Sequence, residues 1–224
     1  MIIAIDGPSG SGKSTLGRMI ARALGLLYID TGAMYRAAAL AVVRSGVSTQ
    51  DTEAVAKVVS DSDINLEGDP DSLCVSLNGE DVSKEIRKEV VSHSSSVISA
   101  ISEVRRALVA RQRKLGERGC GAVLEGRDIG TVVFPNADVK FFMTAIPEAR
   151  AQRRFEEVRL QERDASFETT LADINKRDKR DSTREDSPLA ISDDAIVIDS
   201  SGLSIDDVFE RMMSEIEGKR DLRV

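Results

Sequence analysis

The residues best suited to chemistry stand near the start of the chain. Gly7-Pro8-Ser9-Gly10-Ser11-Gly12-Lys13-Ser14 fits G-x-x-x-x-G-K-[ST] at every fixed position. Glycines permit positive φ and close backbone approach, so successive N–H groups can turn inward around a phosphate. A helix opening at Lys13 would add the positive end of its dipole. On this pattern Lys13 reaches the outer phosphates of a nucleoside triphosphate and the Ser14 hydroxyl ligates Mg²⁺. The plain alternative is a Gly/Ser-rich turn, and the flanks argue against it. Ile2-Ile3-Ala4-Ile5 is an apolar run suited to a buried strand. Leu16, Met19, Ile20, Ala23 and Leu24 then recur at helical spacing, up to a helix-ending Gly25.

A phosphate-binding loop fixes what is bound and leaves the outcome open between phosphoryl transfer and a nucleotide-dependent switch. Arg177, Asp181 and Arg184 stand at i, i+4 and i+7 on one helical face, with Arg180 at its edge. Arg150, Arg153 and Arg154 open the same charged stretch, which runs from Glu148 to Asp186. A row of charges is commonly a solvated surface. A transferase, however, must gather the negative charge of donor and acceptor phosphates while excluding water. Arginines on a closing lid meet both needs, and one such residue contributes about 10³–10⁵ in rate. Asn175-Lys176-Arg177-Asp178 matches the guanine-reading pattern N-K-x-D, but Leu171-Ala172-Asp173-Ile174 before it is patterned as helix, not apolar strand. The companion D-x-x-G fails at Asp30-Thr31-Gly32, whose glycine comes one position early. The match reads as accidental. His93 is the only histidine, which removes His-based triads and most zinc sites.

The elements that must position these groups alternate. Leu27-Tyr28-Ile29 reads as a second strand, and a helix is expected from Ala33 to about Arg44, closed by Gly46. Strand ends in such a sheet face the ligand crevice, which sets Asp30, Thr31 and Arg36 towards a substrate; for Arg36 a solvated helix position is an equal reading. Asp30 fits either a metal-held water or a structural role. Residues 51–62 look helical, and Asn78-Gly79 between alternating runs predicts a small antiparallel sheet over about 63–90. One helix is expected from Ser92 to Gly116, with Val97, Ile101, Val104 and Leu108 on its stripe. Ala122-Val123-Leu124 and Val139 to Met143 read as further strands, and Ala195-Ile196-Val197-Ile198 as the last. A helix from Ser204 follows, with Asp207 completing a capping box. The expected fold is α/β: a parallel five-stranded sheet flanked by helices, with an antiparallel insertion and an arginine-rich helical lid.

At 224 residues, 41% hydrophobic and 31% charged, the chain can bury a full core as one domain. The expected division is a core of 1–62, 117–147 and 190–224, an acceptor-binding insertion over 63–116 and a lid over 148–189. A net charge of −7 argues against a nucleic-acid surface, and no apolar stretch approaches a membrane span of ~18 residues. Cys74 and Cys120 lack a C-x-x-C partner and suit a reducing, cytoplasmic setting. A monomer is the expectation.

Taken together, these motifs resemble the bacterial cytidylate kinases, P-loop enzymes that phosphorylate CMP and dCMP. The resemblance covers essentially the whole chain. It rests on Ile5 to Thr15, on Asp30-Thr31-Gly32-Ala33-Met34-Tyr35-Arg36, on Gly126-Arg127-Asp128-Ile129-Gly130 through Pro135, and on Arg177-Asp178-x-x-Asp181-x-x-Arg184. It implies ATP at Gly7, Pro8, Ser9, Gly10, Ser11, Gly12, Lys13, Ser14 and Thr15, with Arg153 from the lid, and Mg²⁺ on Ser14. Thr31, Arg36, Arg127 and Arg184 would meet the CMP phosphate, Ser96, Arg105 and Asp128 the cytosine, and Arg177 and Asp181 the sugar. Lys13, Arg127, Arg177 and Arg184 would be the catalytic charges. The sequence departs from the family at Thr31, where serine is common, and at Glu125, where aspartate often stands; Glu125 is left without a role. A UMP-preferring kinase, a kinase for another small acceptor and a GTPase-like switch are the competing readings.

Overall fold

The computed structural model describes residues 1–159 and 166–221; residues 160–165 and 222–224, within the expected lid and core, lie outside the described residues. In chain order, β1 (Ile2–Asp6) leads through the glycine loop into α1 (Lys13–Leu24), β2 (Leu27–Asp30), α2 (Thr31–Ser45) and α3 (Thr52–Asp61). Next come β3 (Ile64–Glu67), β4 (Cys74–Leu77), β5 (Glu80–Asp81), α4 (Glu89–Ile98) and α5 (Ser102–Gly116). The remainder is β6 (Ala122–Gly126), β7 (Val139–Thr144), α6 (Pro147–Arg159), α7 (Phe167–Thr183), β8 (Ile196–Asp199) and α8 (Ile205–Asp221). Among the described residues no helix is long and apolar enough to cross a membrane.

The main sheet has the order β2-β6-β1-β7-β8, and all its pairings are parallel. Central β1 is covered on both faces, which is why its sequence is continuously apolar rather than alternating. Ile3 and Ile5 pack with Phe141 and Met143 beneath α1 and α8. Ala4 and Leu124 face Met34 of α2 and Leu108 of α5 on the other side. This topology brings the ends of β1, β2 and β6 together, with Asp6 opposite Gly126 and Asp30 opposite Glu125.

The insertion forms a three-stranded antiparallel sheet, β3-β4-β5. Asn78 and Gly79 take φ values of 52° and 82°. Positive φ at both central residues is what a type I′ hairpin turn requires. The single helix expected from Ser92 to Gly116 is instead two helices, α4 and α5. Ser99 turns its hydroxyl back onto the Ser96 carbonyl (3.0 Å), and Ile101 is extended at φ −80°, ψ 119°. The break has a use: it frees the Ser99 carbonyl, which accepts from Arg105 Nη1 at 3.1 Å. It also rotates the stripe, so Ile98 is buried where Val97 was expected and Val97 is only half-buried.

Candidate active site

The glycine loop is built as its sequence demands. Gly7, Gly10 and Gly12 have φ values of 143°, 77° and 93°. A Cβ on Gly7 would lie 2.0 Å from the Met143 carbonyl oxygen, so β7 leaves no room for any side chain there. Lys13 opens α1 and is buried, its Nζ donating to the Pro8 carbonyl at 2.6 Å and to Ser11 Oγ at 3.3 Å. Burial, reinforced by the Arg127 charge, pushes the Lys13 ammonium down to about 7. Its hydrogen-bond partners are a carbonyl and a hydroxyl of the loop itself, while the Glu125 and Asp6 charges attract it from the strand ends.

The end of β6 carries a buried carboxylate. Glu125 accepts from the Tyr28 hydroxyl and feels the nearby Ser14 hydroxyl and the Asp30 charge. Burial and then Asp30 raise its proton affinity. Thr31 Oγ1 donates to the Glu125 carbonyl at 2.6 Å. Asp30 caps α2 by accepting from the Ala33 amide at 2.8 Å and pairs with Arg36 at 3.0 Å. Arg36 is therefore half-buried and turned to the strand ends, against the solvated alternative.

The arginines converge on Asp181. Arg127 Nε donates to Asp181 Oδ2 at 2.8 Å, and Arg177 acts on the same carboxylate. Burial works to raise the Asp181 carboxyl, yet Arg127 and Arg177 outweigh it and hold the carboxyl below its ordinary range. Arg177 is pushed down to about 10, first by burial and then by Arg127 and Arg36, and its Nε has no hydrogen-bond partner among the described residues. A second cluster lies between α5 and the segment after β6. Arg105, 2% exposed, pairs through Nη2 with Asp128, 5% exposed. The Tyr35 ring lies 5.7 Å from the Arg105 guanidinium, and its buried hydroxyl has no partner among the described residues. Arg184 donates from Nε to the Ser187 carbonyl at 2.6 Å and sets Nη2 3.9 Å from Asp128 Oδ1.

Ser96 and Arg153, expected at the cytosine and at ATP, also make contacts within the chain. Ser96 meets the lid: its Oγ accepts from Arg180 Nη1 at 2.5 Å, a contact between α4 and α7. Arg153 donates to the carbonyls of Gly10 (3.3 Å) and Ser200 (2.6 Å). Arg150 braces the lid likewise, pairing with Asp178 at 2.5 Å and donating to the Ser9 carbonyl at 3.1 Å. Beside that pair lies a cavity of about 480 Å³ lined by residues that include Pro8, Pro147, Arg150, Asp178 and Leu189 but not Lys13. Asn175 to Asp178 lie inside α7, where a guanine-reading strand-end motif cannot work. Arg180, Tyr35 and Asp6 stand in the charged face and the motifs without an assigned role; their partners are 84 (Ser96), 70 (Arg105) and 123 (Ile129) residues away in sequence, beyond any local pattern.

The chain matches the profile of the family described as cytidylate kinase over residues 3–218. It is 50% identical over 214 residues to a cytidylate kinase of Caldanaerobacter subterraneus subsp. tengcongensis, covering 96% of this chain and 93% of that relative. It is 49% identical to one of Rhodococcus opacus (95% and 93% covered) and 48% identical to one of Corynebacterium diphtheriae (97% and 94%). Among solved structures, an uncharacterized protein of Eubacterium ventriosum superposes with a TM-score of 0.52 at 13% identity, over 97% of this chain and 98% of that one, a likeness of fold alone. With its glycine loop, paired Arg105 and Asp128 and match from residue 3 to residue 218, the chain belongs to the cytidylate kinase family.

Proposed function

We propose that this chain transfers the γ-phosphate of ATP to CMP and dCMP, giving ADP and the diphosphate, by in-line transfer under arginine charge neutralisation. The observation that carries the reading is the crowding of Lys13, Arg127 and Arg177 at the strand ends. Burial and mutual repulsion lower the proton affinity of Lys13 and Arg177. Asp181, Glu125 and Asp6 answer these charges in part, yet burial still holds Lys13 and Arg177 below their ordinary ranges and Arg177 Nε has no hydrogen-bond partner among the described residues, so two facing phosphate chains would complete the cluster. Transfer between phosphates needs little covalent help from the protein, so positioning and charge carry the reaction.

In this reading the loop amides and Lys13 hold the donor phosphates, and Ser14 and Thr15 close the loop beneath them. Thr31, Arg36, Arg127 and Arg184 take the acceptor phosphate, while Arg177 and Asp181 take the sugar. Arg105 and Asp128 read the base: cytosine offers an N4 amino donor beside N3 and O2 acceptors, which a carboxylate and a guanidinium complement. Ser96, whose Oγ also accepts from Arg180, joins them at the cytosine, and Arg153, beside the Gly10 carbonyl, adds its charge at the ATP phosphates. Water is kept out as α6 and α7 draw down over both nucleotides.

The donor set around Ser14 fits Mg²⁺, since an exposed hydroxyl sits beside Glu125, with the Asp30 charge close by. Among the described residues no cluster of three or more His, Cys, Asp or Glu could cage an ion alone. Mg²⁺ is ordinarily held by one or two protein oxygens, water and substrate phosphates, so Ser14 and a neighbouring carboxylate suffice. When bound it would neutralise charge on the transferring phosphates. The same reading makes the chain a cytoplasmic monomer acting on small molecules, with no nucleic acid, in keeping with its net charge of −7. A coupled assay of ADP release, offering ATP or GTP against a panel of monophosphates, tests it. CMP and dCMP with ATP should be turned over; preference for UMP, or hydrolysis of GTP without an acceptor, would overturn it.

A further inference from the structure

Asp6 is a carboxylate in the middle of the main sheet, 5% exposed, and no step described so far employs it. It ends the central strand β1, and the next residue is Gly7 of the phosphate loop. Both its oxygens are engaged by backbone across the sheet. Oδ1 accepts from the Ile129 amide at 2.8 Å and Oδ2 from the Gly130 amide at 2.7 Å, 123 and 124 residues away. Those amides begin a π-helical turn over Ile129–Val133, so the carboxylate satisfies two of its otherwise unpaired N–H groups. Asp6 is also the register partner of Gly126 in β6. The two residues between these attachments are Arg127 and Asp128. The segment carrying one phosphate-binding arginine and the base-reading carboxylate is thus fastened to one residue at both ends, by strand pairing before it and side-chain acceptance after it.

We infer that Asp6 is a positioning residue: its carboxylate fixes the Arg127–Asp128 segment to the root of the phosphate loop and so sets the acceptor-binding groups in place relative to Lys13. The inference rests on the reading of Arg127 and Asp128 as CMP contacts given above. Packing around the joint is close. A Cβ on Gly130 would stand 3.1 Å from Lys140 Cδ and 3.3 Å from its Cγ, and in ordinary contact with Asp6 Oδ2 at 3.4 Å, so a side chain there would press on Lys140 beside the joint. The charges facing Asp6 are Lys13 from α1, which attracts it, and Asp128 from the tethered segment, which repels it. The two amide bonds hold the segment in despite that repulsion. A purely local cap would need neither strand pairing at one end nor burial in the central strand.

The test is Asp6→Asn in the full chain. Asparagine has the same shape but one acceptor oxygen, so its amide nitrogen would confront one of the two backbone N–H groups, donor against donor. The expected result is a rise of about tenfold or more in KM for CMP, with KM for ATP changed by less than about threefold, in a protein that still melts cooperatively. Combining it with Arg127→Ala should cost less than the sum of the two single losses, because one of the two positioned groups is gone. Gly130→Ala is the second variant: it keeps the carboxylate, crowds the same joint and should raise KM for CMP alone. It decides the matter if Asp6→Asn does not fold. An unchanged KM for CMP, or equal losses for CMP and ATP, would overturn the inference. Arg127→Ala and Asp128→Ala, assayed alongside, separate the two claims. If they leave CMP binding and selectivity untouched, the acceptor-site reading fails and this inference with it; if they act and Asp6→Asn does not, this inference alone fails.

Discussion

Replacing Asp128 with alanine is expected to change which base is accepted before it changes how well ATP binds. Asp128 is 5% exposed, paired with Arg105, and 3.9 Å from Arg184 Nη2. Its carboxylate is all acceptor, which suits the N4 amino group of cytosine and opposes the O4 of uracil. A buried polar site built for one pattern can reject the other by about 10⁴–10⁵, equivalent to about 5.5–7 kcal/mol. Alanine removes attraction and repulsion together, so the ratio of kcat/KM for CMP over UMP should shrink by about 10² or more. KM for ATP should stay within about threefold, because no ATP-loop residue depends on Asp128 for a hydrogen bond. Stability falls too. Arg105, 2% exposed, keeps the Ser99 carbonyl but loses its counter-ion, and breaking a buried pair costs about 3–5 kcal/mol. At this chain length that lowers Tm by about 6–20 °C. Rates of ADP formation with each monophosphate, measured below the variant's transition, provide the assay. Asp128→Asn, which retains the shape and one acceptor, guards against misfolding. A folded Asp128→Ala protein whose CMP/UMP ratio stays within about threefold of the parent would refute the base-reading argument.

Three other perturbations have defined outcomes. Lys13→Ala should lower kcat by about 10²–10³ with Tm nearly unchanged, since Lys13 is present for charge rather than packing; normal turnover by a folded variant would remove the loop from the mechanism. Gly7→Ala should abolish binding of an ATP analogue by calorimetry, because the added Cβ meets the Met143 carbonyl at 2.0 Å and φ is 143°; wild-type affinity would contradict the loop geometry. Asp6 gives a pH signature in stability. Burial, opposed by the Gly130 and Ile129 amides, raises its carboxyl from 3.8 to about 6. The folded state therefore holds that proton more tightly, and its contribution is full below about pH 4 and lost as pH rises through 6. The stability of the parent relative to Asp6→Asn should fall by about 3 kcal/mol across that window in denaturant titrations, and a flat difference would refute it.

Much of this architecture is legible in the residues themselves. The apolar run before Gly7 and the helical spacing after it define β1 and α1, and Asn78-Gly79 specifies the hairpin between β4 and β5. Single-helix periodicity could not reveal the break between α4 and α5, because Val97, Ile101, Val104 and Leu108 keep helical spacing across it in the sequence. What ends α4 is a serine hydroxyl turned onto its own backbone and a carbonyl claimed by Arg105, both products of packing. In the site, residues named from the motifs and from the family resemblance are brought together by the topology: Arg105 with Asp128, and Arg127 with Asp181. Contacts made across long stretches of chain were illegible. Arg180 looked like an edge residue of a charged helix until the fold set it against Ser96, and Asp6 gave no sign of its two amide partners beyond β6.

Two anion sites sharing one buried cationic cluster are the heart of this account, and equilibrium binding addresses them directly. Titrating one polypeptide with CMP and a non-hydrolysable ATP analogue should give one molecule of each bound at the same time. Lys13→Ala should then weaken the analogue while sparing CMP, and Arg127→Ala should do the reverse. A single nucleotide bound per chain under all conditions, or both ligands lost equally in either variant, would contradict it.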